Sequence, residues 1–570
     1  MKPITASCYA IAEPSRLVLG NRLFSHTVEG RFTVQAAQEN LEGLSEPFLS
    51  VVARAVDQQD ERRFRIWLGL PVVEELSVNA VHSFPLRGEH WLIRAIRLYT
   101  LTHETDTFFT EQTCHLFNGK APMLQGHLFF LENQQDGSAV MLMAKAPDFY
   151  LPTLRVERGQ AVLDAGGCGV VIGFCGIGAC ERLCRDYLRH LHKPSGLYSM
   201  SNTWGDRNGW SRVNQDFIRR EIDAAHALGV DIVQIDDGWQ TGSTADLSLR
   251  DESGRRMFIG DFWSLHTGRF PDGIAPLTAY AAEKGIRMGL WFAPDSRNEF
   301  ALLERDLSVL RHAYLEWGIR YFKLDMIHIE SERGVGRMLE LLRGIYAFGP
   351  DVSVQLDVTN GKRLGYLCGA EYGSIFAENR YTASGNAFPH RVLRNLWMLS
   401  RVLPASRLQF ELVNPDLNRE CYAPDDPFAP VHYDMDYLFA AVMLSNPLFW
   451  MEMQFLSRPR RDELARLMPV WRQHRDTLGR ADVSPIGEKP SGRSFSGFYV
   501  QSGETVYLLL FRENTEEREY CFALPQHGLQ SPALLASNTD VRFTLSDAGV
   551  RVSFGKPRGY ALLIARCPCC

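Results

Sequence analysis

The feature that most constrains this chain is an alternation of short apolar runs with segments of helical spacing. Between about Tyr198 and Leu478 eight such runs occur, at 199–204, 231–235, 286–292, 320–324, 352–356, 374–377, 408–413 and 448–453. The segments 213–228, 274–283, 299–317, 335–346, 390–403, 434–444 and 461–478 carry the helical periodicity between or after them. Strands that alternate with helices imply a parallel sheet joined by right-handed crossovers. Eight units within roughly 285 residues fit a closed (β/α)8 barrel better than an open sheet. The link 361–373 is short, with room for only a turn of helix.

The flanks have a different rhythm. The runs 64–68, 91–100, 126–131 and 139–145 are short, aromatic or β-branched, and separated by turn clusters such as 133–137. That pattern predicts an antiparallel sandwich, followed by a connecting helix over 179–191. After Ser484 the runs 498–501, 505–511, 541–545, 550–554 and 561–565 predict a second, smaller sandwich. The expected fold is therefore multidomain. An N-terminal antiparallel β-sandwich with its connecting helix occupies 1–192, a TIM barrel 193–483, and a C-terminal antiparallel β-sandwich 484–570.

Lys plus Arg number 61 and Asp plus Glu 67, a net charge of −6. That balance argues against a broad basic face, so no nucleic-acid partner is expected. No apolar run approaches the ~18 residues of a membrane span, and no membrane partner is expected. The first residues lack the apolar stretch of a signal peptide, which predicts a cytoplasmic location. Twelve cysteines in 570 residues are too sparse for a disulfide scaffold. Cys168, Cys175, Cys180 and Cys184 do not form two Cys-x-x-Cys pairs and are interleaved with apolar residues, so they read as buried thiols rather than a zinc site. Cys567, Cys569 and Cys570 read as a frayed tail.

In such barrels chemistry sits at the C-terminal ends of the strands. The residues there include Trp204, Asp236, Asp237, Trp239, Trp291, Lys323, Asp325, Asp357, Glu378, Glu411 and Glu452. Converging carboxylates serve either a hard metal ion or acid, base and nucleophile work on a polyol. Tryptophan favours the second, since a sugar's C–H face stacks on an aromatic ring. No His-rich set lies at the strand ends, His328 being the nearest, which argues against a catalytic transition-metal site.

These residues resemble a known group. Tyr-Phe-Lys-Leu-Asp-Met (Tyr321 to Met326) is similar to the Lys-x-Asp strand end of clan D retaining α-glycosidases. Ile-Asp-Asp-Gly-Trp-Gln (Ile235 to Gln240) and Gly-Leu-Trp-Phe-Ala-Pro (Gly289 to Pro294) resemble the second and third strands of glycoside hydrolase family 36. That family contains α-galactosidases, α-N-acetylgalactosaminidases and raffinose synthases. The resemblance implies a retaining exo-α-glycosidase, most simply an α-galactosidase, acting on an oligosaccharide or glycoside by double displacement, for which no metal or organic cofactor is expected. It implies Asp325 as nucleophile and Glu378 as acid/base, about 5–5.5 Å apart in a retaining enzyme. Lys323 lies two residues before Asp325 and so points to the same side of the strand. The resemblance also implies that Asp236 and Asp237 bind ring hydroxyls. Trp204, Trp239 and Trp291 are then candidate sugar platforms, although tryptophans are as often core. A homo-oligomer is compatible with the resemblance; no interface is legible.

Two departures stand out. The family acid/base is an Asp in a Ser-Asp-Asn/Asp context, whereas this chain reads Phe-Ala-Glu-Asn-Arg at Phe376 to Arg380. Glu378 fills the slot with one more methylene and a one-residue offset; pairing with Arg380 is its alternative role. The family's fifth strand often reads Glu-x-Cys-x-x-Gly-Gly-Gly-Arg, near the sugar 2-position. Here it reads Gln-Leu-Asp-Val-Thr-Asn-Gly-Lys-Arg, Gln355 to Arg363. Asp357 replaces the Cys, and with Asn360 and Arg363 it is expected to bind substrate; Asp357 is also the reserve acid/base. A new carboxylate there leaves the preferred sugar open. Other readings are a raffinose-synthase-type transglycosidase, an α-glycosidase for another sugar such as α-N-acetylgalactosamine, and a non-catalytic carbohydrate-binding protein. The polar segment 241–272 reads equally as a subsite wall or a packed insertion.

Overall fold

A computed structural model describes residues 9–20, 25–29, 31–39, 48–56, 61–67, 72–75, 81–86, 90–99, 108–116, 121–157, 159–192, 196–205, 212–242, 260–359, 362–377, 380–546 and 548–568. Glu378 and Asn360 lie outside these residues. Two compact units are present: 1–99, 108–191 and 364–371 form one, and 100–107, 192–363 and 372–570 the other.

In the first unit a nine-stranded antiparallel sheet runs in the order Phe108–His115, Trp91–Tyr99, Leu128–Asn133, Ser138–Ala144, Val170–Gly176, Val72–Glu75, Glu61–Trp67, Phe48–Ala55, Phe32–Glu39. A four-stranded sheet, Ala121–Gln125, Thr153–Glu157, Gln160–Asp164 and Val81–Pro85, shares its core. Alternate residues of the two sheets supply that core: Ile93, Phe129, Leu131, Val140 and Leu142 from one, and Leu154, Val156 and Leu163 from the other. Period-two alternation places them all on one face of their strands. The helix Cys180–His192 follows the last strand of the large sheet.

The second unit contains the barrel. Its strands are β1 (Met200–Asn202), β2 (Ile232–Ile235), β3 (Arg287–Phe292), β4 (Tyr321–Leu324), β5 (Ser353–Asp357), β6 (Ser374–Phe376), β7 (Leu408–Leu412) and β8 (Asn446–Phe449). All neighbours are parallel, and β1 pairs with both β2 and β8, closing the sheet. The crossover helices start where side chains can satisfy their free N–H groups. Asn214 caps Gln215–Leu228 through the Phe217 N–H, and Ser331 caps Glu332–Tyr346 through the Gly334 N–H. Between β5 and β6 the described residues contain no α-helix.

Three sequence expectations are corrected. The helix expected over 461–478 is two helices, Arg458–Leu464 and Met468–Arg480. Pro469, in the first turn of the second, has no N–H to continue the first. The eighth strand starts and ends earlier than 448–453. Asn446 fixes its start: the side-chain amide donates to the Ser406 and Leu408 carbonyls and accepts from the Tyr198 N–H. Cys567 is not in a frayed tail. It is 1% exposed, within the core of the C-terminal sandwich beside Phe522, Val552 and Leu563. That sandwich pairs a five-stranded sheet (Asp482–Gly487, Phe495–Ser502, Thr505–Arg512, Gly559–Arg566, Gln530–Ser537) with a three-stranded one (Glu519–Phe522, Gly549–Phe554, Val541–Ser546). Among the four clustered thiols, Cys180 and Cys184 are buried while Cys168 and Cys175 are half-buried.

Candidate active site

The barrel register brings the expected residues together. Trp291 of β3 pairs with Lys323 of β4, and Lys323 with Gln355 of β5. Leu324 pairs with Leu356, so Asp325 and Asp357 leave adjacent strands side by side. β2 ends at Ile235, and both Asp236 and Asp237 lie beyond it. The pleat therefore no longer forces them to opposite faces. The Asp237 N–H turns back onto Asp236 Oδ1 (2.9 Å), and Gly238 then takes φ +124°, a conformation that favours glycine.

Lys323 is the hub. Its Nζ lies 3.0 Å from Asp236 Oδ2 and 3.9 Å from Asp325 Oδ2, and 5.0 Å from the ring centroid of Trp450. Burial works against its charge, but Asp236, Asp325 and Asp357 outweigh burial and raise its pKa. Asp236 also accepts from Asn202 Nδ2 at 2.7 Å. This carboxylate is thus fixed from two sides.

Asp325 is the carboxylate among these with appreciable exposure, 20% of its side chain against 3% for Asp236. Four donors surround it. Trp291 Nε1 (3.1 Å) and Lys323 approach Oδ2, while Arg363 Nη2 (3.3 Å) and the Met326 N–H approach Oδ1. Met326 is a non-glycine residue at φ +52°, which aims its N–H back at Asp325. Burial opposes the Asp325 charge, yet Lys323 and Arg363 overcome it and hold the carboxyl well below the usual range. Arg363 is placed by its own loop and by the loop after β4, donating to the carbonyls of Thr359 (2.8 Å) and Ile327 (2.8 Å). Replacing Trp291 with Phe keeps a ring but deletes one donor. We expect kcat/KM to fall about tenfold with little change in melting temperature, read by kinetics and a thermal melt.

Asp357 is 2% exposed. Its Oδ1 accepts from the Thr359 N–H (2.8 Å) and hydroxyl (2.6 Å). Burial, and then the neighbouring Asp325 charge, push its pKa up to about 7.

The other expected residues fall differently. Trp204 is half-buried and donates from Nε1 to the Tyr381 hydroxyl at 2.9 Å. Trp239 is fully buried, stacked on Trp263 at 5.7 Å and met edge-on by Trp317, with its Nε1 on the Trp291 carbonyl. It is a core ring beneath the site rather than a sugar platform, because the turn after Gly238 folds it inward. Trp291 orients Asp325. Arg380 is 1% exposed; its backbone N–H donates to Glu411 and its guanidinium to the Asn386 carbonyl. Glu452 lies past the end of β8, 3.5 Å from Arg212. The described end of the 241–272 segment is packed: Trp263 lies 4.2 Å from Phe292 between ring centroids, and Phe270 is fully buried.

Three site residues were not expected. Asn202 was hidden because the first strand was drawn to 204; its true end at 202 puts this amide on Asp236. Trp450 was hidden by the shifted eighth strand. A glycine at 205 marks its position, since a Cβ there would lie 2.1 Å from the Trp450 carbonyl carbon. Tyr381 had no signal of its own.

Comparisons with known proteins bear on the fold and on one stretch of the chain. Residues 181–308 match the Melibiase family. The α-galactosidase Mel36A of Lactobacillus acidophilus is 28% identical over 115 residues, 20% of this chain and 14% of that protein. The matched stretch thus spans about a seventh of that relative's length. The Geobacillus stearothermophilus α-galactosidase AgaA, of glycoside hydrolase family 36, superposes with a TM-score of 0.65. The alignment covers 94% of this chain and 87% of that one at 13% identity. The α-galactosidase of Lactobacillus brevis gives 0.68 over 95% and 86%, at 11% identity. Residues 181–308 are thus similar to the Melibiase family, and the chain shares with these solved structures a barrel that antiparallel sheets precede and follow along the sequence.

Proposed function

We propose that this chain is a retaining exo-α-glycosidase that hydrolyses terminal α-galactosides. The observation that carries the reading is Asp325, an ionised, part-exposed carboxylate held by Lys323, Arg363 and two N–H donors at the C-terminal mouth of the barrel. An anion with its oxygens fixed is suited to attack an anomeric carbon and form a covalent glycosyl ester. Glu378 is assigned by sequence position as the acid that protonates the leaving oxygen and the base that then activates water. Asp236 and Asp237 are assigned to the sugar hydroxyls. The relatives support the substrate class: they are named α-galactosidases, and AgaA was crystallised with stachyose and with raffinose.

The test is initial rates on 4-nitrophenyl α- and β-galactosides, α-N-acetylgalactosaminide and α-glucoside, with the first-formed anomer read by proton NMR. Turnover of the α-galactoside with the α-anomer first is expected. Turnover of another α-sugar would keep the chemistry and make the Asp357 loop the specificity element. Failure on every α-glycoside, or the β-anomer first, would overturn the reading.

A further inference from the structure

We propose that Asp325 and Asp357 share one proton, so that Asp357 is a neutral carboxylic acid donating a hydrogen bond that positions the ionised Asp325. The inference deepens the reading of Asp325 as nucleophile and rests on it only for its consequence in catalysis.

The register sets the two residues at adjacent strand ends, with their carboxyls placed for a hydrogen bond to each other. Two deprotonated carboxylates cannot make that bond, because neither has a donor. One proton must lie between them, as in other close carboxyl pairs. The surroundings decide which residue carries it. Four donors from β3, β4 and the loops after β4 and β5 approach Asp325: Trp291, Lys323, Met326 and Arg363. Asp357 receives only Thr359, twice and on Oδ1. Its Oδ2 is buried and meets no N–H or O–H donor among the described residues. The proton therefore sits on Asp357 Oδ2. The upward displacement of Asp357 to about 7 agrees with this assignment.

Asp357 acts through Asp325 and is a positioning residue. Once it ionises, a donor to the nucleophile becomes a like charge beside it. With an activated aryl α-galactoside, whose leaving group needs no proton, kcat/KM should fall about tenfold as the pH rises through 7. In Asp357→Asn the amide still donates but cannot titrate, and the fall should flatten to less than about twofold.

The direct test does not need turnover. Infrared difference spectra of the full chain between pH 5 and pH 9 should show a carboxylic-acid C=O band disappearing with a midpoint near 7. In Asp357→Asn, whose fold is checked by thermal melting, the band should lose the Asp357 contribution and keep only that of Glu221, whose burial also pushes its pKa up to about 7. No such band in the wild-type protein, or a band of undiminished amplitude in the variant, overturns the proposal. If the band behaves as expected but no α-glycoside is turned over, the shared proton stands and the glycosidase reading falls. If turnover is found without the band, the shared proton alone is overturned.

Discussion

Replacing Asp325 with asparagine is expected to abolish turnover, lowering kcat by at least about 10,000-fold. Asparagine has nearly the same shape, so packing against Trp291 and Arg363 is retained and the melting temperature should change little. What is lost is the anion, which in the proposed mechanism is both the attacking group and the charge facing the developing oxocarbenium ion. The four donors that surround Asp325 are arranged for that anion and cannot create one from an amide. A cleaner diagnosis comes from Asp325→Gly with added azide and an activated aryl α-galactoside. Azide enters the space of the lost carboxylate and attacks the same face, so the product is the β-galactosyl azide. Turnover of the asparagine variant within about 100-fold of wild type would remove Asp325 from the mechanism. The same variant bears on Asp357. With the neighbouring charge gone, the Asp357 carboxyl loses one of the causes of its upward displacement, and its infrared band should titrate at lower pH.

The barrel was legible because its signal is local. Each strand is a short apolar run, and the residue after it is marked by a change to charge or aromaticity, as at Asp236, Asp325 and Asp357. Parallel pairing of consecutive strands then places those residues on one rim without further information. The large N-terminal sheet was only partly legible, because its order joins Val170–Gly176 to Val72–Glu75 across almost 100 residues. No short-range pattern encodes such a pairing. Within the site, the errors came from strand ends. A strand end misplaced by two to four residues hid Asn202 and Trp450, although both touch groups that were expected. Trp239 shows the opposite failure: its position past a strand end suggested a ligand, but the Gly238 turn folds the ring into the aromatic layer. The charge state of Asp357 could not be read from sequence, since it depends on which donors reach its neighbour.

Lys323→Met is expected to have the second large effect, and it separates folding from chemistry. Lys323 is buried and serves Asp236, Asp325 and the ring of Trp450 at once. Removing the cation leaves Asp236 and Asp325 facing each other without it, and breaking a buried pair in this way costs about 3–5 kcal/mol. A melting temperature lower by several degrees at neutral pH is expected. The pH dependence follows from the sign of the Asp325 displacement. Its folded pKa lies below the unfolded one, so its contribution to stability is present at neutral pH and is lost as pH falls through the folded value. Without Lys323 that contribution shrinks, and the gap between variant and wild type should narrow toward low pH. Activity provides a readout that loss of packing alone would not move. In the wild-type enzyme Asp325 stays ionised to below the ordinary aspartate value of about 4, so it imposes no acid limb above that pH. In Lys323→Met, Arg363, the two N–H donors and the Asp357 acid remain but the nearest-strand cation is gone, so the carboxyl rises toward the ordinary value and the acid limb of kcat/KM should move up in pH. A variant that loses stability but keeps its acid limb would make Lys323 a structural partner of Asp236 alone, and Arg363 the group that keeps Asp325 ionised.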